Sequence, residues 1–209
     1  MPFEPPRSMQ EEYRARRKER DRLFLEHGID RAGMIEFVLG AAGEIRGPAL
    51  DIGTGRGLTA VALARRGIRV ATIDISEDDL KAAMAGAASE GAAGSIDFHL
   101  ADANDLPFPD GSFRLVTMVN VLHHMETGAS LLPEVSRVLV PGGKFVVADF
   151  DEEGFGILSK LHAGEGEEHK RLVVETIDGI AGKLPLHGLK AAGRLSGYCQ
   201  DVLLAEKIV

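Results

Sequence analysis

A glycine-rich turn between a predicted strand and a predicted helix carries the clearest chemical signal in the sequence. Gly53, Gly55 and Gly57 follow the apolar strand Ala49–Ile52 and precede a helical segment. Such a turn lets the backbone approach a ligand closely, and the N-terminus of the next helix presents N–H groups to that ligand. Position 58 is leucine, so the dinucleotide pattern G-x-G-x-x-G is incomplete. The turn alone is typical of many nucleotide-binding folds.

Acidic and polar side chains end the other predicted strands. Asp74 lies 21 residues after Gly53, where a carboxylate can accept hydrogen bonds from both hydroxyls of a ribose. Asp102 supplies an acceptor for an exocyclic amine such as adenine N6. Asp51 disfavours a neighbouring pyrophosphate but suits an ammonium or a sulfonium group. Because the carboxyl ends of parallel strands meet at one edge of a sheet, we expect these groups at one ligand-binding edge.

The elements that must position these residues alternate between short apolar runs and helical segments. This alternation predicts βαβ units and a parallel sheet with helices on both faces. Ser76, with Asp79 three residues later, predicts the start of a helix. The Pro141-Gly142-Gly143 segment predicts a turn before the fifth strand. The five predicted strands are Ala49–Ile52, Ile68–Ile73, Ile96–Leu100, Arg114–Val119 and Lys144–Asp149.

The two ends of the chain follow other patterns. Residues 9–27 predict a charged helix, and Asp30 is a candidate N-cap for a second, amphipathic helix. Residues 151–190 are rich in glycine, acid and histidine, and their one predicted helix is His169–Ile180. A hairpin that extends the sheet is predicted for the tail. Its two strands are Arg194–Tyr198 and Val202–Ile208.

Composition limits the class of protein. The chain has 209 residues, 44% hydrophobic and 27% charged, which predicts one globular domain with a small appendage. The net charge of −8 argues against a nucleic-acid partner, because binding to that backbone needs clustered Lys and Arg. No apolar run approaches the roughly 20 residues that span a bilayer, and no secretory signal is predicted. The single cysteine, Cys199, fits a reducing cytoplasm.

One basic cluster interrupts this acidic composition near the N-terminus, and it is interleaved with Glu and Asp. Two interpretations stay open. The cluster forms either a solvated helix face with i,i+4 ion pairs or a lip that attracts an acidic substrate. Its members are Arg14, Arg16, Arg17, Lys18, Arg20 and Arg22.

Five sequence blocks occur in a fixed order over about residues 48–150. They are Leu50–Gly57, Asp74, Ala101–Ala103, Leu106–Phe113 and Leu139–Lys144. Together they resemble the class I S-adenosylmethionine-dependent methyltransferases, and Val121-Leu122-His123-His124 is most similar to the small-molecule, methyltransferase type 11-like branch. The resemblance implies a three-layer, Rossmann-like α/β fold with a seven-stranded, mostly parallel sheet of order 3-2-1-4-5-7-6, in which strand 7 is antiparallel.

The resemblance also implies how the donor S-adenosylmethionine is bound. Gly53 and Gly55 would pack under its methionine part, Asp51 would lie near its amino group, and Asn120 would contact the methionyl moiety by its carbonyl.

The resemblance implies further contacts for the nucleoside part of the donor. Asp74 would bind the ribose hydroxyls, and Ile75 would pack on the adenine. Asp102 and Ala103 would bind the amine edge of the adenine, and Thr54 completes the donor-binding set.

By the same resemblance, residues 1–47 form an N-terminal helical cap, and residues 48–209 form the donor-binding domain with a flap at about 151–190. The cap and the flap would enclose a small-molecule acceptor. Transfer from a sulfonium mainly needs alignment and exclusion of water. For an amine or hydroxyl acceptor, His123 or His124 is the candidate general base.

Two alternatives to a methyltransferase stay open. An NAD(P)-dependent oxidoreductase on a Rossmann fold is opposed by Leu58 and Asp51. A non-catalytic S-adenosylmethionine-binding protein would share every donor residue. We predict no metal centre, although one further cluster has both metal-ligand residue types and the composition of a mobile acidic loop. Its members are His162, Glu165, Glu168 and His169.

Overall fold

The fold is described from a computed structural model that covers residues 4–125, 130–165 and 175–208, with backbone only at 162–165. The strands are β1 Ala49–Ile52, β2 Val70–Asp74, β3 Ile96–Leu100, β4 Phe113–Val119, β5 Leu139–Phe150, β6 Leu189–Gly197 and β7 Gln200–Lys207. They form a seven-stranded sheet of order β3-β2-β1-β4-β5-β7-β6. Strands β1 to β5 pair in parallel, and β7 is antiparallel to both of its neighbours. The fold expected from the resemblance is confirmed.

Helices cover both faces of this sheet and complete three layers. The helices are α1 Arg7–Glu26, α2 Arg31–Gly40, α3 Leu58–Arg65, α4 Glu77–Ser89, α5 Leu131–Val138, α6 Glu152–Glu165 and α7 Ile177–Lys183. Short 3₁₀ helices occur at Ala93–Ser95, Leu122–His124 and Leu184–His187. None of the helices in the described part of the chain has both the length and the apolar character needed to cross a bilayer.

Two separate cores lie on the two faces of the sheet. Successive side chains of a strand point to opposite faces, so neighbouring residues enter different cores. In β5, Phe145 packs in the core that includes α5 and α7, whereas Val146 packs in the core that includes α2, α3 and α6. Burial on both faces explains why these strands are apolar without alternation.

Local capping chemistry starts the helices where the sequence predicts. The Asp30 carboxylate accepts from the N–H groups of Ala32 and Gly33 at 3.1 Å each, so α2 begins at Arg31. The Ser76 hydroxyl accepts from the Asp79 N–H at 3.2 Å and starts α4. Both predicted N-caps are confirmed.

The structure differs from the sequence predictions in strand β5. The predicted turn at Pro141-Gly142-Gly143 lies inside the strand, as a bulge between Leu139, which pairs with Phe113, and Lys144, which pairs with Leu115. Gly142 adopts a φ of 72°, a conformation that glycine tolerates best, so the excess residues loop out while the strand continues.

The acidic region after β5 is more helical than predicted. Asp151 caps α6, since its carboxylate accepts from the Gly154 N–H at 2.8 Å. Leu158 and Leu161 then bury the inner face of the helix. Within the described part of the predicted helix at 169–180, residues 177–180 are helical, whereas Thr176 is the extended N-cap of α7, which begins at Ile177 and continues to Lys183. Residues 169–174 of that prediction lie outside the described residues.

Candidate functional site

The backbone segments that follow β1 and β4 stay tied to neighbouring strands at one edge of the sheet. The N–H groups of Gly53 and Thr54 donate to the Ile73 carbonyl of β2 at 3.0 and 2.9 Å. The Asn120 N–H donates to the Ala148 carbonyl of β5 at 2.8 Å. The carboxyl ends of four strands therefore lie side by side, as the motif spacing predicts.

The glycine loop needs glycine for two physical reasons. Gly53, Gly55 and Gly57 have φ angles of 75°, 47° and 79°, which side-chain-bearing residues rarely adopt. At Gly53, the Val121 side chain fills the place that a Cβ would take. At Gly57, a Cβ would lie 3.2 Å from the Ala83 side chain. By contrast, open space surrounds Gly55, so its conformation alone favours glycine there.

The Asp74 carboxylate supports the loop from the end of β2. One oxygen accepts from the Gly55 N–H at 2.9 Å, and the other accepts from the Ser76 N–H at 3.0 Å. An ionised carboxylate has about four lone-pair positions, so both oxygens can accept further hydrogen bonds. Ile75 follows with 79% of its surface exposed, which leaves an apolar side chain uncovered beside this carboxylate.

The loop after β3 carries the predicted adenine-edge residues Asp102 and Ala103. The exposed Asp102 carboxylate accepts from both the backbone N–H and the side-chain amide of Asn104, at 2.8 and 3.0 Å. Farther along, the Arg137 guanidinium of α5 donates to the carbonyls of Leu106 and Phe108 at 3.0 and 2.7 Å. Helix α5 thus anchors the loop that follows the predicted adenine edge.

Two buried polar atoms that have no hydrogen-bond partner among the described residues lie in the segments that follow β1 and β4. They are the Thr54 hydroxyl oxygen and the Asn120 amide oxygen. Asn120 also has a φ of 57°, a strained conformation for a residue with a side chain. Its amide nitrogen lies 3.7 Å from the Met34 sulfur of α2. A bound polar ligand would satisfy both oxygens, since unsatisfied buried groups are costly.

Asp51 lies beneath this edge, in the interior of the sheet. It is 1% exposed, and its two oxygens accept from the hydroxyls of Thr72 on β2 and Thr117 on β4 at 3.1 and 2.9 Å. Both threonines are its register partners in the neighbouring strands. The carboxylate therefore cross-links three central strands, in addition to any role toward a ligand.

Burial raises the pKa of Asp51 to about 7, because the charged form loses its hydration. The threonine hydroxyls oppose this shift by hydrogen bonding to the carboxylate, and the negative charge of Asp74 adds to it. A positive charge placed at the sheet edge would favour the ionised form.

The two histidines after β4 differ in their surroundings. His123 is buried, and its Nδ1 lies 2.6 Å from an Asp149 oxygen at the end of β5. The other Asp149 oxygen accepts from the His123 backbone N–H at 3.0 Å. His124 is exposed, with its ring centroid 4.0 Å from that of His123. Asp149 thus fixes the orientation of His123.

A cavity of about 130 Å³ opens beside this pair. His123 and Asp149 line it together with Phe150 and with Phe155 of α6. The Phe155 ring meets the His123 ring edge to face at 5.3 Å. Residues 175–178, ahead of and within α7, form another wall. The elements after β5 therefore contribute to a small compartment that is lined by two phenylalanines and by several carboxylates.

Sequence reasoning missed three contributions to the site. The threonine partners of Asp51 become visible only with the strand register, and Met34 only with the packing of α2. Asp149 lies at the end of β5 and His123 follows β4, so their pairing joins neighbouring strand ends. The sequence signal that could have predicted this pair is the carboxylate at the end of the fifth predicted strand. The cluster of His162, Glu165, Glu168 and His169, for which we predict no metal centre, lies outside the described side chains.

Comparisons with known proteins agree on one family. Residues 50–147 match the family described as "Methyltransferase domain". The 27-O-demethylrifamycin SV methyltransferase of Amycolatopsis mediterranei is 30% identical over 174 residues, which cover 74% of this chain and 64% of that protein. The ubiquinone/menaquinone biosynthesis C-methyltransferase of Desulfotalea psychrophila is 38% identical over 116 residues, which cover 54% of this chain and 46% of that protein.

The fold has solved counterparts as well. A SAM-dependent methyltransferase from Aquifex aeolicus has a TM-score of 0.69 at 20% identity, covering 93% of this chain and 98% of that one. Residues 50–147 belong to the methyltransferase domain family, and the chain has the fold of the class I S-adenosylmethionine-dependent methyltransferases. The chain spans less than two thirds of the length of either curated relative.

A substitution pair tests the steric account of the glycine loop. We expect Gly53→Ala to lower the free energy of unfolding by about 2–4 kcal/mol, because it adds a collision with Val121 to an unfavourable φ. Gly55→Ala should cost only about 1–2 kcal/mol, since its Cβ meets open space. Urea denaturation measures both values, and equal losses would contradict the assigned close approach.

A second prediction concerns the raised pKa of Asp51. The folded state retains a proton that the unfolded chain releases, so this group makes the free energy of unfolding fall as the pH rises from about 4 to 7. Asp51→Asn removes the effect, and its stability relative to the parent should rise by about 2–4 kcal/mol over that window.

Urea denaturation at several pH values provides the measurement, and Asp97→Asn is the matched control. Asp97 is an exposed aspartate of β3, so its replacement removes one carboxylate without touching the buried site. The pH trend of the Asp51→Asn difference is compared with that of Asp97→Asn. If both variants behave alike, Asp51 is ionised throughout the range and the burial argument fails.

Proposed function

We propose that this protein transfers a methyl group from S-adenosylmethionine to a small-molecule acceptor by in-line displacement. The observation that carries the proposal is Asn120, which combines a strained φ of 57° with a buried amide oxygen beside the glycine loop that no group in the described part of the chain satisfies. Such a residue is costly to the fold alone, which argues for a ligand as its partner. The family match supplies the chemical class of that ligand.

The residues at the sheet edge fit the donor part by part. Asp74 has lone pairs left for ribose hydroxyls, Ile75 offers an uncovered apolar surface to the adenine, and Asp102 is exposed for its amine edge. The glycine loop and the two unpartnered oxygens remain for the methionine part. The donor-binding set we propose is Asp51, Gly53, Thr54, Gly55, Asp74, Ile75, Asp102, Ala103 and Asn120.

Charge complements this fit. S-adenosylmethionine, when bound, supplies an electrophilic methyl on a positively charged sulfonium. Asp51 holds a carboxyl group directly under the loop, and its charge acts on the donor through the low dielectric of the interior. In this role it is a positioning residue, because its oxygens already accept from Thr72 and Thr117.

His123 is the general base that we assign for an oxygen or nitrogen acceptor. Asp149 accepts from its Nδ1 side, which orients the ring and stabilises the imidazolium that forms when a proton is taken up. The ring lines the cavity next to Phe150 and Phe155, where an acceptor is sheltered from water. A thiol acceptor needs no such base once it is ionised.

The acceptor compartment draws on the segments proposed as cap and flap. Residues 1–47 reach the donor edge through Met34 of α2, and residues 151–190 reach the cavity through Phe155 and residues 175–178. A cavity of about 130 Å³ is small beside the roughly 300–1,000 Å³ of ordinary ligand pockets, which favours a small reacting group. We propose a cytoplasmic location from the single cysteine, and no nucleic-acid partner from the net charge.

Activity assays test the assignment. Methyl transfer from S-adenosylmethionine to a panel of thiols, amines, phenols and carboxylates identifies the acceptor class. With an amine or phenol acceptor, His123→Asn should lower kcat about 10²–10⁴-fold, because proton removal loses its base. Asp149→Asn should also lower kcat, and S-adenosylhomocysteine affinity should stay within a few-fold of the parent for both variants.

Two further replacements complete that experiment. His27→Asn, at the exposed C-terminal end of α1, is the control and should keep the parental rate. His124→Asn decides between the neighbouring histidines, and a loss as large as that of His123→Asn would contradict the assignment to His123. Donor binding without transfer to any acceptor of the panel would instead favour a non-catalytic donor-binding protein.

A further inference from the structure

Helix α1 contacts the glycine loop through one side chain, although it lies outside the residues 50–147 that match the methyltransferase family. The Tyr13 hydroxyl donates to the Arg56 carbonyl at 2.7 Å. Tyr13 is buried, and burial raises the pKa of its phenol, because the phenolate would lose its hydration. The hydroxyl therefore keeps the proton that it donates. A helix predicted to belong to the cap thus holds the loop that we propose for the donor.

This contact fixes a single peptide group of the loop from one side. The peptide joins Arg56 to Gly57, directly before α3. Its carbonyl accepts from Tyr13, and its N–H donates to the Thr54 carbonyl at 2.7 Å. Gly57 restricts rotation of this peptide less than any other residue would, since glycine has the widest choice of φ. The hydrogen bond from Tyr13 opposes that rotation and so helps to set the direction of the loop backbone.

The position of the Tyr13 hydroxyl is determined by contacts that do not involve the loop. The ring lies against Gly86 of α4, where a Cβ would stand 2.5 Å from the ring carbon that bears the hydroxyl. One turn later, Arg17 pairs with Glu90, just after α4, at 3.1 Å. Phe24, near the end of α1, is buried in the core that includes α2. Helix α1 is therefore anchored along its length, and it presents the hydroxyl to the loop at a fixed point.

We propose that Tyr13 is a positioning residue for the donor, because its hydrogen bond holds the glycine loop in the conformation that binds S-adenosylmethionine. This inference rests on the function proposed above. The loop binds the donor with its backbone in that proposal, so a bond that fixes a loop peptide acts on donor affinity without touching the donor. Coupling of this kind is reciprocal. The factor by which docked Tyr13 raises donor affinity is also the factor by which the donor stabilises the docking of α1.

Calorimetric titration of the full chain with S-adenosylhomocysteine tests the first half of the proposal. Tyr13→Phe keeps the ring beside Gly86 and removes the hydroxyl, and it should weaken binding about three- to tenfold, as expected for one lost hydrogen bond. Tyr198→Phe is the matched control. It removes the same group from the other tyrosine of the chain, which is half exposed in the turn between β6 and β7, and it should bind like the parent.

A second control separates positioning from a purely structural role. Phe24→Leu loosens the far anchor of α1 and leaves the Tyr13 hydroxyl in place. It should lower the urea midpoint of unfolding while S-adenosylhomocysteine affinity stays within about twofold of the parent. A purely structural Tyr13 would give the same pattern, namely lower stability with unchanged affinity.

Hydrogen exchange of the α1 amides tests the reciprocal half. S-adenosylhomocysteine should slow exchange in α1 of the parent by about the same three- to tenfold factor, and Tyr13→Phe should remove most of this effect. Equal affinity of the parent and Tyr13→Phe, or equal slowing of exchange in both, would overturn this inference and leave the proposed function intact. Absence of S-adenosylhomocysteine binding by the parent would overturn the proposed function and this inference with it.

Discussion

The hydrogen bonding of one buried carboxylate is the constraint on which this structure depends most. Asp51 sits in the middle strand of three, and threonines directly opposite on both neighbours donate to it. A buried carboxylate without such partners would cost several kcal/mol, so the register of β2 and β4 against β1 is closely tied to this contact. That register determines where the glycine loop, Asp74 and Asn120 emerge. The geometry of the proposed donor site therefore depends on a contact that is buried beneath the site.

Much of the fold was accessible from sequence because its signals are local. The N-caps Asp30 and Ser76, the glycine loop and the alternation of strands with helices each follow from neighbouring residues. Helix α6 was missed for a physical reason. Glycines at 154 and 156 weaken any helix signal, but Gly154 is required because a Cβ there would lie 2.7 Å from the Cys199 carbonyl. A contact with a distant hairpin cannot be inferred from local pattern.

The candidate site also has a local part that the sequence predicts and a non-local part that it does not. Its residue types and their order along the chain predict a shared edge, and the structure brings the strand ends together as expected. The partners that set the chemistry are non-local: Thr72 and Thr117 for Asp51, and Asp149 for His123. The sequence alone does not distinguish His123 from His124, whereas the structure does, because His123 is buried beside Asp149. The segments that we propose around the acceptor lie outside the matched blocks, where the family pattern gives no guidance.

Charge at the carboxyl edge of the sheet suits the proposed donor. Asp51, Asp74 and Asp102 lie at or beneath this edge, and their carboxyl groups complement a positively charged sulfonium. Helix α1 reaches the same region, since the Tyr13 hydroxyl donates to the Arg56 carbonyl of the glycine loop at 2.7 Å. The packing of α1 therefore supports the loop from outside the sheet.

Calorimetric titration of the chain with S-adenosylhomocysteine and, separately, with NADH tests the central claim most directly. The account predicts saturable one-to-one binding of S-adenosylhomocysteine that Asp74→Asn weakens, and no measurable heat with NADH. Tight binding of NADH together with no response to S-adenosylhomocysteine would contradict it.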